Sequence, residues 1–445
     1  MSKNNQAGTA KGSMTVNRSR LEAWGKYITL SRIGMVWAFI APLISILSPR
    51  IFILYVAISA TALAVPLWLA IYEPQSRFSA SLLPDRRKIF FWAKWVAALV
   101  VLFVIANINS ANHGDTLKST LHFFTALYAI GIFTCGIRVV EFDKVCANFQ
   151  ALLWGVIAAG TIFTLMWLTY FFRHEFPVEI SQRLVPLSSS FNRALVVFIL
   201  LGGLGVWHAV LTGQKGLAWI AGGLMMTSAL LSKSESAMLA AIVLFTIIPL
   251  VRLWGGVAIR ALGGLALVWI WGLPLILNSI LDKVASNIWI NETGQHVPAI
   301  YSMLTRLEIW AATSNRIAER PFLGWGHDGV QHYGLSTIQG VFFTIKTPLH
   351  PHNGALQGWI DMGLLGPIAM SAAIILICRH LLKAKGRTQA YLTALAFSAI
   401  AVIFVSHGLW QTWWIGLLGY IFGSGIMIEE AGRRLSPGPW MDTKF

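Results

Sequence analysis

The residues best suited to chemistry lie in the segment Leu349-His350-Pro351-His352-Asn353-Gly354, directly before an apolar run. A neutral imidazole can take a proton from a hydroxyl group near pH 7, which few other side chains can do. We therefore expect a histidine of this segment to act as a base, with Asn353 orienting the ring or donating to a substrate oxygen. A helix cap, or a position at the lipid headgroups, is the alternative role for His350 and His352.

Arg306 is the second candidate, because it lies in Ser302–Glu319, a stretch in which apolar residues recur at helical spacing. A planar guanidinium can hold a pyrophosphate through two parallel hydrogen bonds. The alternative is an exposed ion pair with Glu308, which would contribute little to stability. Arg316 and Arg320, further along the same stretch, fit that second description better.

Other charged residues lie at the ends of apolar runs, in Ser190-Phe191-Asn192-Arg193 and in Ser232-Lys233-Ser234-Glu235-Ser236. Charge this close to hydrocarbon is costly unless it is paired or faces a water-filled cavity, so it marks a candidate site. Arg193 could instead snorkel to the headgroups from a helix end. Lys233 and Glu235 could form a local ion pair. The sequence leaves both alternatives open.

A metal site is the other chemistry that the histidines could support. The candidate ligands in this part of the chain are His327, Asp328, His332, His350 and His352. Their spacing matches no standard ligand pattern, and a zinc site needs three or four ligands to converge tetrahedrally. We therefore expect neither a metal nor a cofactor.

The composition indicates that the elements carrying these residues lie in a bilayer. Of the 445 residues, 56% are hydrophobic and 12% are charged, whereas soluble domains carry about a quarter charged residues. The net charge of +16 comes from Lys and Arg residues that punctuate apolar runs and do not cluster in one soluble region. That distribution indicates membrane topology and attraction to anionic lipid, and it argues against a nucleic-acid partner.

Apolar runs that are long enough to cross a membrane, or nearly so, predict an all-α polytopic membrane protein with about 12 transmembrane helices. The runs are 33–48, 51–72, 89–109, 119–140, 147–172, 190–211, 216–231, 235–252, 257–279, 363–382, 389–407 and 409–428. The predicted division of the chain is a basic tail (1–32), spans 1–9 (33–279), a large, partly helical loop domain (280–362), spans 10–12 (363–428) and a second tail (429–445).

The basic residues between the spans set the predicted orientation. The loops on the side of the N-terminus hold roughly twice as many Lys and Arg residues as the loops on the other side, and basic residues collect on the cytoplasmic side. Both termini are therefore expected in the cytoplasm, with the 280–362 loop on the opposite face of the membrane.

Three segments, taken in order, resemble the O-antigen ligase superfamily, which also contains O-antigen polymerases and bacterial protein O-oligosaccharyltransferases. They are SKSESAMLA, TRLEIWAATSNRIAERPFLGWGHDGV and HPHNGALQGWIDMGLLG, and together they cover about 230–370. The resemblance implies that His352 is the catalytic histidine and that Arg306 binds the diphosphate.

The serine-rich turn departs from the family pattern. The family commonly has an arginine there, whereas this chain reads Ser234-Glu235-Ser236. We therefore expect Lys233 or Arg193 to supply the second cationic contact with the pyrophosphate. Supporting or acceptor-side roles are expected for Asn353, His350 and Glu235.

The resemblance further implies a metal-independent glycosyltransferase of the bacterial inner membrane with a periplasmic active site. It would move O-antigen polysaccharide from undecaprenyl pyrophosphate to the lipid A–core oligosaccharide. A polymerase or a protein O-oligosaccharyltransferase would use the same donor and the same site with another acceptor. A transporter should instead carry ionisable or Gly/Pro-broken positions at mid-membrane in corresponding halves, whereas here the ionisable residues lie at span ends and in the outer loop.

Overall fold

A computed structural model of the chain consists of long helices that surround an apolar core. It describes residues 30–47, 113–137, 142–172, 188–232, 234–287, 298–327, 337–339, 344–346 and 350–435, with scattered positions between 54 and 110. The predicted spans 51–72 and 89–109 are described only at those scattered positions, and most of the two predicted tails lies outside the described residues.

Within the described part of the chain, seven helices precede the large connection. They are α1 (Leu30–Leu47), α2 (His113–Ile137), α3 (Phe142–Phe171), α4 (Ser188–Leu211), α5 (Lys215–Leu231), α6 (Glu235–Trp254) and α7 (Gly256–Asn287). The connection holds α8 (Pro298–Glu319), strands β1 (Thr337–Gln339) and β2 (Thr344–Lys346), and α9 (Gly354–Met362). The chain continues with α10 (Leu365–Leu381), α11 (Gly386–Val405) and α12 (Thr412–Leu435).

The strands are a small departure from the predicted all-α fold. They form an antiparallel pair in which Ile338 lies opposite Ile345. Each strand has only three residues, so the fold remains helical in all its long elements.

Five helical segments of the described residues are long and apolar enough to cross a membrane. They are Cys146–Phe171, Asn192–Leu211, Glu235–Trp254, Gly256–Ser286 and Gly386–Val405, with shorter apolar helices at Met35–Ile46, Thr120–Gly131, Lys215–Leu231 and Leu365–Leu381. Large apolar side chains on their outer faces are exposed, such as Trp219 at 81% and Leu275 at 82%, where lipid would solvate them. The prediction of a multi-pass, helical membrane protein is therefore confirmed, while the number of spans, their orientation and the domain boundaries stay predictions.

Helix α4 is the centre of the core. Every residue from 194 to 201 is fully buried, because α4 packs against α1, α3, α5, α6, α11 and α12. A helix that is apolar all round is expected to be enclosed in this way. Arg193, directly before the buried stretch, is thereby fixed at one end of the core.

Two glycines allow the loop turn after α8 to contact the end of α9. Gly324 has φ +70° and Gly363 has φ +56°, and between them the backbone N–H of Trp325 donates to the Ile360 carbonyl at 2.7 Å. A Cβ atom on Gly324 would lie 2.5 Å from the backbone nitrogen of Gly363, and one on Gly363 would lie 2.3 Å from the carbonyl carbon of Phe322. The PFLGWG and GLLG segments are thus the two sides of one backbone contact.

Gly324→Ala is expected to lower the melting temperature in detergent, because its methyl group would both meet backbone atoms and force a left-handed φ. Gly213→Ala is a control for backbone strain alone, since Gly213 has φ +78° and open space around its Cβ position; that strain costs roughly 1–2 kcal/mol. Gly223→Ala, in open space within α5, should be neutral or slightly stabilising. Equal melting temperatures for the first two variants would contradict the close contact.

Candidate active site

His352 lies in the turn before α9, and one backbone carbonyl holds its ring. The ring Nδ1 lies 3.0 Å from the carbonyl oxygen of Ser406, the residue that ends α11. Because a carbonyl can only accept a hydrogen bond, the neutral ring carries its proton on Nδ1 and keeps the lone pair on Nε2. This is the tautomer that a base acting through Nε2 requires.

His352 has a strained backbone conformation, and the residue that follows it is the N-cap of α9. His352, at φ 53°, is the only non-glycine residue with a positive φ in the described ranges. Asn353 follows as the N-cap of α9, and its Oδ1 accepts from the backbone N–H of Leu356 at 3.1 Å. Strain of this kind persists where the surroundings hold it, and it clusters at functional sites. Asn353 is fully buried, and its oxygen contributes to the site by fixing the start of α9.

His350 lies against His352, with ring centroids 4.2 Å apart. Its Nδ1 accepts from the backbone N–H of His352 at 3.1 Å, and its Nε2 lies 3.1 Å from the side-chain amide nitrogen of Gln411. Burial, followed by the nearby His352 and Arg193, lowers the pKa of His350 to about 3. A neutral imidazole accepts through only one nitrogen, and in His350 that nitrogen is bonded to the backbone of the turn, so His350 is suited to supporting the turn, whereas His352 keeps the lone pair of Nε2 for a substrate.

The pKa of His352 is also lowered, and burial is the main cause. The hydrogen bond with the Ser406 carbonyl acts in the opposite direction, and the positive charges of Arg306 and Arg193 lower the pKa further. The ring is therefore neutral at neutral pH and available as a base. Two guanidinium groups, Arg193 on α4 and Arg306 on α8, therefore act electrostatically on this one imidazole.

Arg306 is held by the serine-rich turn. Its Nη1 donates to Oε2 of Glu235 at 2.8 Å, and the hydroxyl of Ser302 donates to the same oxygen at 3.0 Å. Both members of the ion pair are partly exposed, with 24% of the Arg306 side chain and 38% of the Glu235 side chain accessible. Glu308, the alternative partner suggested by the sequence, is only 1% exposed and so does not form an exposed ion pair.

The serine-rich turn reaches both halves of the site. Ser234 caps α6, its hydroxyl accepting from the backbone N–H of Ala237 at 3.3 Å. The next residue, Glu235, holds Arg306, and Ser236 forms a buried hydroxyl–hydroxyl hydrogen bond with Ser406. One short turn therefore contacts the arginine and also the residue whose carbonyl orients the histidine.

Arg193 is the other cation at the site, and Lys233 lies outside the described residues. Arg193 is half-buried in the opening turns of α4. Its charge lowers the pKa values of His350 and His352, as well as that of His407. Arg193 therefore acts electrostatically on the three histidines, and the role expected for Lys233 stays a prediction.

His407 is a site residue that the sequence reasoning missed. Its side chain is 6% exposed and lies against Trp413 and Trp414, with ring centroids 5.0 and 5.3 Å away. Burial, and then the charge of Arg193 and of the other site residues, lowers its pKa to about 3. Its Nε2 has no hydrogen-bond partner among the described residues. The polar pair Ser406-His407 at the end of an apolar run was the signal that could have identified it.

The candidate metal ligands do not form a cluster where they are described. His327 is fully buried with its ring centroid 5.3 Å from that of Trp410, while Asp328 and His332 fall outside the described ranges. Among the described residues there is no group of three or more His, Cys, Asp or Glu side chains that could hold a metal ion. The metal-free site therefore stays a prediction.

Two arginines at the other end of α8 have surface roles. Arg316 forms an ion pair with Glu319 at 2.8 Å, with 34% and 47% of the two side chains exposed. The guanidinium of Arg320 lies over the ring of Trp325, 4.2 Å from its centroid. Arg316 thus forms the exposed ion pair that the sequence suggested.

Comparison with known proteins points to one family. Residues 220–371 match the O-antigen ligase family. A protein of Rickettsia typhi with the provisional name polysaccharide ligase is 23% identical over 327 residues, which cover 71% of this chain and 73% of that protein. Proteins with the same provisional name from Rickettsia conorii and Rickettsia felis are 26% and 27% identical over 115 and 117 residues. Those two alignments cover 25% of this chain and 28% of each relative, and no solved structure matches the chain.

The matched region begins in α5 and ends in α10, so it contains the serine-rich turn, α8 and the turn before α9. Three of the site residues, Glu235, Arg306 and His352, lie within it. Residues 220–371 of this multi-pass membrane protein are therefore similar to the O-antigen ligase family.

Proposed function

We propose that the protein is a glycosyltransferase that moves O-antigen polysaccharide from undecaprenyl pyrophosphate to the lipid A–core oligosaccharide. Its active site would face the periplasm from the bacterial inner membrane. One observation carries the proposal: the hydrogen bond with Ser406 leaves the lone pair of His352 on Nε2, and the charges of Arg306 and Arg193 lower the pKa of the same ring. A base and a pair of cations are the groups that transfer from a pyrophosphate donor needs.

In the proposed reaction, Nε2 of His352 takes the proton of the acceptor hydroxyl. The acceptor oxygen then forms a bond to the anomeric carbon of the donor glycan with its electron pair. The bond from that carbon to the pyrophosphate oxygen breaks, and its electron pair leaves with undecaprenyl pyrophosphate. Arg306 and Arg193 stabilise the negative charge that develops on the leaving group. Two guanidinium groups supply this stabilisation without a metal, and Lys233 is a further candidate for contact with the pyrophosphate.

The ion pair with Glu235 suits this role for Arg306. A guanidinium has five N–H donors in a rigid fork, and Glu235 engages Nη1. The carboxylate can therefore fix the direction of the fork while other N–H groups bind phosphate oxygens. Glu235 is in this proposal a supporting residue, as are His350 and Asn353, which hold the turn that carries His352.

His352→Ala and Arg306→Ala should each lower glycan transfer by a factor of about a hundred or more, because a base and a charge-stabilising donor each contribute on that scale. The purified protein would be assayed with lipid-linked donor and lipid A–core acceptor. Arg316→Ala is the matched control, since it removes an arginine of the same helix from an exposed ion pair. Wild-type rates for His352→Ala would refute the proposed base.

The transfer rate should be constant through neutral pH and should fall only as the pH drops below 6.5, the usual pKa of histidine, because the pKa of His352 lies below that value. The active form is the unprotonated ring, so acid removes activity by protonating Nε2. Initial rates from pH 4.5 to pH 8 in detergent test this. An acid limb centred above pH 7 would contradict the assignment of the base.

The donor-side residues would serve an O-antigen polymerase or a protein O-oligosaccharyltransferase equally well, since these enzymes differ in acceptor. The similarity to proteins provisionally named polysaccharide ligases favours the ligase. We therefore expect the gene to restore capped lipopolysaccharide in a ligase-null strain and to leave a polymerase-null strain unrescued. Rescue of only the polymerase-null strain would exclude the ligase.

A further inference from the structure

The turn between α11 and α12, residues 406–411, carries the carbonyl that orients His352, and helix α9 holds this turn in place. Gln357 of α9 accepts the backbone N–H of Leu409 on Oε1 at 2.6 Å. One turn of helix later, Asp361 accepts the indole N–H of Trp410 on Oδ2 at 2.6 Å. Two side chains of α9 thus bind two consecutive residues of the turn.

The residues of α9 that make these contacts share one helix face. Gln357 and Asp361 are four residues apart, a spacing that aligns side chains on a helix. Both are buried, with exposures of 3% and 0%. Burying polar groups costs free energy unless they are hydrogen-bonded, so this polar face indicates a requirement for bonds that apolar side chains could not make.

Two further segments of the chain pack against the turn and α9: the histidine segment contacts the turn, and the PFLGWG turn contacts α9. A Cβ atom on Gly408 would lie 3.2 Å from Cγ of His350, so the turn fits tightly against the histidine segment. On the other side of α9, the backbone N–H of Gly326 donates to the carbonyl of Asp361 at 3.0 Å. The PFLGWG turn that follows α8 is thereby tied to the same end of α9.

We propose that Gln357 and Asp361 are positioning residues, which hold the 406–411 turn so that the Ser406 carbonyl stays on Nδ1 of His352. The lone pair then stays on Nε2, where the acceptor hydroxyl needs it. This inference rests on the proposed function, because the position of the lone pair matters only if His352 acts as a base. Neither side chain touches the substrate in this scheme.

A merely structural role makes a different prediction. If the bonds from α9 only stabilised the fold, breaking one would lower the melting temperature and the active fraction equally at every pH. If they hold the Ser406 carbonyl, breaking one releases the hydrogen bond that opposes the effect of burial on His352. The acid limb of the pH–rate profile would then move to lower pH, and the rate on its plateau would fall. The other charged and titratable groups that act near the ring, Arg306, Arg193, His350 and His407, would be unchanged.

The test is a set of variants assayed for kcat, KM, pH profile and melting temperature. Trp410→Phe removes the indole donor and keeps an aromatic ring beside Phe123 and His327, and Asp361→Leu removes the acceptor. Each should lower kcat by about tenfold or more, as loss of a positioning partner does in comparable sites, with KM for the donor little changed and the acid limb displaced downward. Asp361→Asn keeps an acceptor oxygen and should restore most of the rate.

His352→Ala, assayed alongside, separates the two proposals. If that variant is inactive while Trp410→Phe keeps the wild-type plateau and pH profile, the positioning role is wrong and the proposed base stands. If His352→Ala is active, the proposed function itself fails. Should Asp361→Leu not fold, Trp410→Phe still decides the question, because it changes a partly exposed residue and leaves α9 intact.

Discussion

The hydrogen bond between Nδ1 of His352 and the carbonyl of Ser406 decides what chemistry the site can do. With the proton fixed on Nδ1, the lone pair is on Nε2; with the other tautomer, the ring could only donate there. The carbonyl is available because Ser406 is the C-cap of α11, and the last carbonyls of a helix have no partner within the helix. A helix terminus thus supplies, from the backbone alone, the kind of orienting acceptor that a carboxylate provides for many catalytic histidines.

The charges of the two arginines have opposing consequences for the proposed reaction. Their charges suit a pyrophosphate, and they also keep the neighbouring imidazole in its neutral form. A base whose pKa is lowered accepts a proton less strongly, so the same charges weaken it. The Ser406 carbonyl acts in the opposite direction and limits the loss. Glu235 contributes a negative charge on the Arg306 side of the site, where the ion pair with Arg306 at 2.8 Å orients the guanidinium.

The sequence predicts those parts of the structure that local patterns determine. The apolar runs 190–211 and 235–252 correspond to α4 and α6 within two residues at each end, because run length and helical propensity are local properties. The end of helix α7 was not predicted, because the helix continues to Asn287 whereas the apolar run ends at 279. Residue chemistry identified the HPHN segment and Arg306 as candidates, and the family resemblance selected His352 within that segment. The partner of Glu235 was not predictable in this way, because Arg306 lies 71 positions further along the chain.

The matched family region ends at residue 371, yet the proposed site includes groups outside it, namely Arg193, Ser406 and His407. For Ser406 there is a physical reason: a backbone carbonyl can come from any residue type, so the position leaves no signature in a sequence. What does leave a signature is the means of holding that carbonyl, because only side chains with suitable acceptors can bind the 406–411 turn. The polar residues Gln357 and Asp361 inside the segment HPHNGALQGWIDMGLLG are therefore better explained by the turn they contact than by the substrate.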